Sequence, residues 1–112
     1  MKSKRDLKKQ IRYICGDLVG ECMLISEICP AEKDEAISKL IVKLAVLQES
    51  TLKKVNFSFD KSPRDFENLH EYHKARKAYN REAYTALHNQ FNEQLKEIVH
   101  EMNDIAGLAK EA

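Results

Sequence analysis

The longest stretch of this chain without glycine or proline runs from Arg64 to Ala106, more than a third of its 112 residues. Glycine and proline are the residues that most often interrupt helices, so their absence over this length favours one long helix. Only 3 Gly and 2 Pro occur in the whole chain. The sequence therefore predicts an all-α protein built from a few long helices.

Apolar side chains recur every three, four or seven residues, which is the period of an amphipathic helix. This pattern predicts a first helix over 4–28, ended by Pro30, and a second helix over 33–56. The link between them is short, so the two helices are expected to be antiparallel. In the first helix the predicted core columns are Ile11, Leu18 and Ile25, and beside them Leu7, Ile14, Glu21 and Ile28.

The strongest helix-start signal is Ser62-Pro63-Arg64-Asp65, which combines an N-cap hydroxyl with proline at the first helical position. We expect a third helix from residue 63 to about residue 110. Its length of about 65 Å exceeds that of the first two helices, so we expect either a bend near Asn80 that splits it or packing of the excess length on another copy of the chain. The expected fold is one domain over 1–112, an up-down bundle of three helices, or of four if the third is split.

Cys15, Cys22 and Cys29 fall seven residues apart, so on a helix they form one line, called here the cysteine column. Neighbouring thiols in this column are about 10.5 Å apart along the helix axis. That separation exceeds the roughly 7 Å limit between Cα atoms joined by a disulfide, and it prevents two thiols from sharing a zinc ion. We interpret the thiols as small buried side chains, with a redox role for Cys29 as the alternative.

Gly16 and Gly20 lie four residues apart in the first helix, where each costs roughly 1 kcal/mol of stability relative to alanine. The pair indicates a close approach of another backbone, either the second helix or a second copy of the chain; a kink or chance is the alternative. Glu21 falls in an otherwise apolar column. We predict that its carboxylate is buried and paired with a polar group of another helix, because unpaired burial is costly, and the alternative is a splayed part of the helix contact that water reaches.

Two E-x-x-H pairs, at 67–70 and 97–100, have the ligand spacing of di-iron helical bundles. On one continuous helix they would lie about 45 Å apart, and the second pair would face solvent. His70 and His73, one turn apart, are the remaining candidates for binding a metal ion. No cofactor is expected.

Two basic clusters are candidates for binding nucleic acid or another polyanion. The 19 basic and 18 acidic residues nearly balance, so only local clusters can favour a charged partner. One cluster lies within 2–12 and the other within 74–81, where cations alternate with tyrosines; such a mixture suits phosphate contact and base stacking. The candidate residues are Lys4, Arg5, Lys8, Lys9, Arg12, Lys74, Arg76, Lys77 and Arg81.

The chain contains no glycine-rich phosphate loop, no nucleophile elbow and no H-E-x-x-H zinc helix. It also has no apolar run near the 20 or so residues that a membrane span needs. We therefore expect a cytoplasmic, non-enzymatic interaction or assembly module that forms a homodimer or binds another protein, without a small-molecule substrate. Nucleic-acid or polyanion binding is the first alternative, and a metal-binding bundle is the second.

The run Lys4-Arg5-x-Leu7-Lys8, followed by Ile11-x-Tyr13-Ile14-Cys15-x-Asp17-Leu18-x-x-Glu21-Cys22, resembles the opening of a family of small all-helical bacterial proteins. The resemblance covers about the first 25 residues. It implies an all-α fold and a packed first helix that contains Cys15, Glu21 and Cys22. It implies no activity.

Overall fold

A computed structural model describes residues 3–111 of the chain, with side chains described for 3–107. This part contains three long helices and no strand, which confirms the all-α prediction. The helices are α1 (Lys4–Ile28), α2 (Asp34–Lys54) and α3 (Leu69–Glu111), with short 3-10 turns at Ala31–Lys33 and Pro63–Asp65. Over the residues described, no helix combines the length and the apolar character that a membrane crossing requires.

Local signals at both ends define α1. The hydroxyl of Ser3 accepts a hydrogen bond from the backbone N–H of Asp6 at 3.2 Å, as expected of an N-cap. At the other end Cys29 is extended, with φ −87° and ψ 153°, because the following Pro30 disfavours helical angles. A 3-10 turn then reverses the chain into α2, so that α1 and α2 form the predicted antiparallel hairpin.

The core lies between this hairpin and the C-terminal half of α3. Leu44 of α2 and Val55 just after it are completely buried. The cysteine column is also buried, which places three small side chains where α1 meets its neighbours. The other buried apolar residues are Leu7, Ile11, Ile37, Leu40, Leu47, Leu87, Phe91, Ile98 and Met102.

The buried stripe of α1 differs from the predicted one. Ile11, Leu18 and Ile25 pack in or against the core as expected, and so do Leu7 and Ile14 of the second predicted column. The cysteine column is buried on the other side of this stripe, and the second predicted column leaves the core at Glu21 and Ile28. Glu21 is exposed and Ile28 is 69% exposed, so the prediction of a buried Glu21 carboxylate was wrong. The two possible columns lie one residue, or about 100°, apart around the helix. Burying the thiols keeps the carboxylate in water, where it needs no partner.

The third helix begins later than the sequence predicts. The capping box forms, with the backbone N–H of Ser62 donating to the Asp65 carboxylate at 2.9 Å, but only a 3-10 turn follows. Phe66 then becomes extended and its ring stacks on Phe59, with centroids 6.2 Å apart. The helix starts again after Asn68, whose side-chain oxygen accepts a backbone N–H of the first turn at 2.9 Å. A tertiary aromatic contact therefore outweighs the local start signal.

From Leu69 onward α3 is one uninterrupted helix of 43 residues, which excludes the four-helix alternative. The molecule measures 67 × 18 × 18 Å, and a straight helix of this length accounts for nearly all of the long dimension. Leu7 near the start of α1 lies beside His88 and Phe91. The part of α3 before that level, residues 69–83, therefore extends past the hairpin, and we call it the α3 shaft.

The loop between α2 and α3 returns along one side of the shaft. The ring of Phe59 contacts the rings of Tyr72 and Tyr79, with centroids 5.9 and 5.4 Å apart. Phe57 also contacts Tyr79 edge to face, at 6.4 Å. Aromatic pairs at these distances add to the stability gained from burial. The loop thus braces one face of the shaft and leaves its other faces uncovered by any described helix.

Candidate functional site

The second basic cluster lies on the α3 shaft. Lys74, Lys77 and Arg81 are three and four residues apart, so they share one face of the helix. Around Ala78 they line a shallow, open depression of about 220 Å³. All three side chains are exposed, and none forms an ion pair or hydrogen bond with another described residue. We call these three cations the basic column.

The tyrosines that alternate with these cations in the sequence lie on a different face. Tyr72 and Tyr79 are half-buried beneath Phe59, so their rings are not free to stack on a base. Arg76 precedes Lys77 by one residue and therefore points about 100° away from it. The sequence indicated a mixed basic and aromatic surface, whereas the structure separates the two kinds of side chain.

The first basic cluster occupies the beginning of α1 and lies at the same end of the molecule. Lys4 reaches the loop, where its ammonium group donates to the carbonyl oxygen of Phe57 and lies 4.7 Å from the centre of that ring. Because Phe57 contacts Tyr79 of the shaft, this contact ties the start of α1 to α3. Lys2 lies outside the described residues. The other members are the exposed Arg5, Lys9 and Arg12 and the half-buried Lys8.

A different kind of surface lies on α1 opposite the cysteine column. Tyr13 and Leu24 are 76% and 64% exposed, and Gly16 and Gly20 lie between them on the same side. A Cβ atom added to either glycine would meet no atom within 4 Å. The predicted close approach of the second helix to these glycines was therefore wrong, because they face away from it. We call these four residues the α1 outer face.

A groove of about 410 Å³ runs between α2 and α3. Val42 and Val46, on its α2 side, are 60% and 61% exposed, and Ile98 lies on the α3 side. At its edge the ammonium group of Lys43 lies 2.9 Å from both carboxylate oxygens of Glu101. This ion pair is half exposed, so it contributes at most about 1 kcal/mol to stability. The groove is a second surface on which apolar side chains remain open to solvent.

The three thiols are free and buried. Cys15 and Cys22 are each 1% exposed, and the Cys22 sulfur lies 3.8 Å from that of Met102. Burial raises the pKa of the Cys15 thiol, and burial together with the nearby Glu21 carboxylate raises the pKa of the Cys22 thiol. A buried thiol with a raised pKa is a weak nucleophile. The environment agrees with the interpretation of these two cysteines as packing residues.

Cys29 is expected to react first when the native protein is treated with a maleimide. It is the most accessible of the three, at 9% exposure. Burial raises the pKa of the Cys15 and Cys22 thiols above the ordinary thiol value of 9.0, so they form less of the reactive thiolate at a given pH. At neutral pH, mass spectrometry should show one label per chain in the first phase, and a Cys29→Ala variant should lose that phase. Equal protection of all three thiols would contradict this ranking.

The histidines do not gather into a metal site. His70 and His73 are both exposed on the shaft, and the ring of His73 rests against Tyr72 at 5.3 Å. His100 is exposed and lies 3.5 Å from Asp104, so this side of α3 faces solvent as predicted. Within the described part of the chain, no group of three or more His, Cys, Asp or Glu side chains could hold a metal ion. The metal-binding alternative therefore has no support in this geometry.

Comparisons with protein-family models, with curated proteins and with solved structures all find no match. The resemblance of the first 25 residues to small bacterial proteins thus stays a prediction.

Sequence reasoning identified the two glycines of the α1 outer face but missed its exposed apolar residues, and it missed the groove. Tyr13 and Leu24 belong to neither predicted core column, and an apolar residue outside both columns is the signal that could have revealed this face. The sequence gives a weaker indication that Val42 and Val46 are exposed. They lie four residues apart within a helix rich in apolar residues, where periodicity does not decide which of them reach the core.

Proposed function

We propose that this chain is a non-enzymatic assembly module that forms a homodimer through the α1 outer face. The observation that supports the proposal is the exposure of Tyr13 and Leu24 around two glycines with no neighbour. Exposed apolar groups clustered on one face commonly mark protein interaction sites. Gly16 and Gly20 each cost roughly 1 kcal/mol in a helix, and no residue that the structure describes packs against them to offset that cost. Close packing against a second copy would offset it.

The α1 outer face is complementary to itself in an antiparallel arrangement. Two α1 helices that cross at the glycines would place Tyr13 opposite the partner's Leu24 and Lys9 opposite the partner's Glu27. Such a two-fold pairing uses the same patch on both copies, as in most homodimers. Asp17 and Glu21 lie at one edge of this face, where like charges of the two copies would repel each other and oppose the attraction between Lys9 and Glu27. Salt screens both interactions, so we expect moderate affinity with little dependence on salt.

Replacing Leu24 with glutamate should convert the dimer into a monomer. Leu24 is 64% exposed in the single chain, so the variant should keep its helical content and its thermal stability. Light scattering over a range of protein concentrations would report the mass. Val46→Glu is the matched control, since Val46 has nearly the same exposure but lies in the groove.

The two variants separate the possible outcomes of this experiment. Dissociation by Leu24→Glu alone supports the α1 outer face as the interface. Dissociation by Val46→Glu alone would move the interface to the groove between α2 and α3. A parent protein that is monomeric at every concentration would overturn the proposal.

A second candidate function is polyanion binding, favoured by the basic column. Lys74, Lys77 and Arg81 are unpaired on a part of α3 that no other described helix covers. Contacts from Lys and Arg to phosphates supply most of the sequence-independent affinity for nucleic acids. Salt-sensitive binding to heparin would test this candidate in its most general form.

The proposed location is the cytoplasm. The supporting observation is that Cys15, Cys22 and Cys29 lie on one side of α1 at a spacing that does not allow disulfides between them. The described fold is therefore held by its apolar core and lacks the disulfide framework that is common in small secreted domains.

A further inference from the structure

We infer that the α3 shaft and the beginning of α1 together bind the phosphate backbone of a double-stranded nucleic acid. This inference rests on the second proposed function, polyanion binding, and specifies its site and its ligand. The site is formed by the first turns of α1 and by the adjacent surface of the α3 shaft. The basic column lies on that exposed surface.

The basic column holds its cations in a fixed, straight array. Lys74, Lys77 and Arg81 are about 4.5 and 6 Å apart along the helix axis. A duplex carries one negative charge per about 1.7 Å of its axis, counted over the two strands that wind around it, so phosphates of the nearer strand come within reach of these long side chains. Glu71, three residues before Lys74, lies about 60° around the helix from it, and Glu82 lies about 100° from Arg81. Lys77 and Arg81 have no acidic residue three or four positions away, so the column keeps a net positive charge that is least compensated at these two residues.

The beginning of α1 lies directly beyond the basic column. His88 lines a cavity together with Leu7 and Ile11, so this face of α3 is the one that α1 packs against. Arg81 is seven residues before His88 and therefore lies on the same face, two turns earlier. The column thus occupies the space just outside the N-terminal end of α1. The exposed Arg5 and Lys9 of the first turns, and the positive end of the α1 dipole, add to its field.

Other polyanionic ligands fit this surface less well than a duplex. Single strands gain affinity by stacking bases on aromatic rings, but Tyr72 and Tyr79 are covered by Phe59. Helices that bind membrane surfaces place large apolar residues beside their cations, whereas the small Ala78 is the apolar residue lining the depression. A rigid duplex needs neither feature, because phosphate contacts alone supply non-specific affinity.

The experiment is a fluorescence-anisotropy titration of a labelled 20-base-pair duplex with the full chain at several salt concentrations. The parent should bind with an affinity that falls steeply as salt increases. The double variant Lys77→Ala/Arg81→Ala should bind at least about tenfold more weakly at low salt. The slope of the logarithm of its binding constant against the logarithm of the salt concentration should be smaller in magnitude by about two. Lys39→Ala/Lys96→Ala removes two exposed cations elsewhere and should leave the binding unchanged.

Heparin and vesicles of anionic phospholipid serve as the comparison ligands. Binding to heparin but not to the duplex would overturn this inference and leave polyanion binding standing. Tighter binding to vesicles than to the duplex would overturn it in favour of a membrane surface. Duplex binding that both double variants weaken equally would overturn the assignment of the site. Failure to bind any of the three ligands would overturn polyanion binding as well.

All four substituted side chains are exposed, so the variants should keep the parent's circular dichroism and thermal transition. A change in binding can therefore be assigned to the lost contacts.

Discussion

Replacing Leu44 with alanine is expected to lower the free energy of unfolding by about 3 kcal/mol. Leu44 is completely buried at the centre of α2, facing the core formed with α1 and α3. Removing its branched end loses the transfer free energy of the buried atoms and leaves a cavity that the helices only partly close. Domains of this size are stable by about 5 to 15 kcal/mol, so the loss is a large fraction of the total.

Urea denaturation followed by circular dichroism would measure this difference. Leu69→Ala is the matched control, because it removes the same atoms from a leucine that is 62% exposed at the start of α3. We expect that variant to change the free energy of unfolding by no more than about 0.5 kcal/mol. Equal losses from the two substitutions would show that the core is not centred on Leu44.

The double variant Gly16→Ala/Gly20→Ala is expected to raise the free energy of unfolding by about 2 kcal/mol. Alanine restricts the unfolded chain and favours the helix, and the added methyl groups meet no atom within 4 Å in the single chain. For a domain of about 100 residues this gain corresponds to an increase in Tm of roughly 10 °C. Differential scanning calorimetry at low protein concentration would measure it.

The same variant also tests the proposed dimer. If the α1 outer face is the interface, the two methyl groups should weaken association while they stabilise the single chain. Gly107→Ala is the control, since its Cβ also meets no atom within 4 Å but lies far from that face, near the end of α3. A loss of stability in the double variant would contradict the exposure of the two glycines.

The extents of α1 and α2 could be predicted from sequence because their signals are local. Ser3 and Pro30 define α1 through a single hydrogen bond and a steric clash, both of which depend on adjacent residues. The start of α3 could not be predicted in this way. The capping signal at Ser62 is genuine, but the contact between Phe66 and Phe59 takes the chain out of the helix.

The orientation of α1 about its own axis is a harder problem. Cys22 and Glu21 are adjacent in sequence, and the periodic pattern is satisfied nearly as well with either of them inward. The structure buries the thiol and leaves the carboxylate in water, where it needs no partner. Residues seven apart shift by about 20° around a straight helix, so the column that starts at the buried Leu7 has turned out of the core at Glu21 and Ile28.

The candidate surfaces were predicted only in part. The cations of the basic column could be identified from their spacing, since Lys74, Lys77 and Arg81 are neighbours on any helix. Their separation from Tyr72 and Tyr79 could not, because it depends on the path of a loop without periodicity. Because the loop between α2 and α3 packs on the tyrosines, one face of the shaft is aromatic and covered, whereas the face with the three cations stays exposed.

The extended shaft also changes how the molecule moves through water. Its radius of gyration is 19.3 Å, whereas a spherical chain of this length would have about 13 Å. An elongated monomer experiences more friction than a sphere of equal mass, so it leaves a gel-filtration column early, where a larger globular protein would appear. Elution position alone would therefore mimic a dimer, and only a shape-independent mass distinguishes one chain from two.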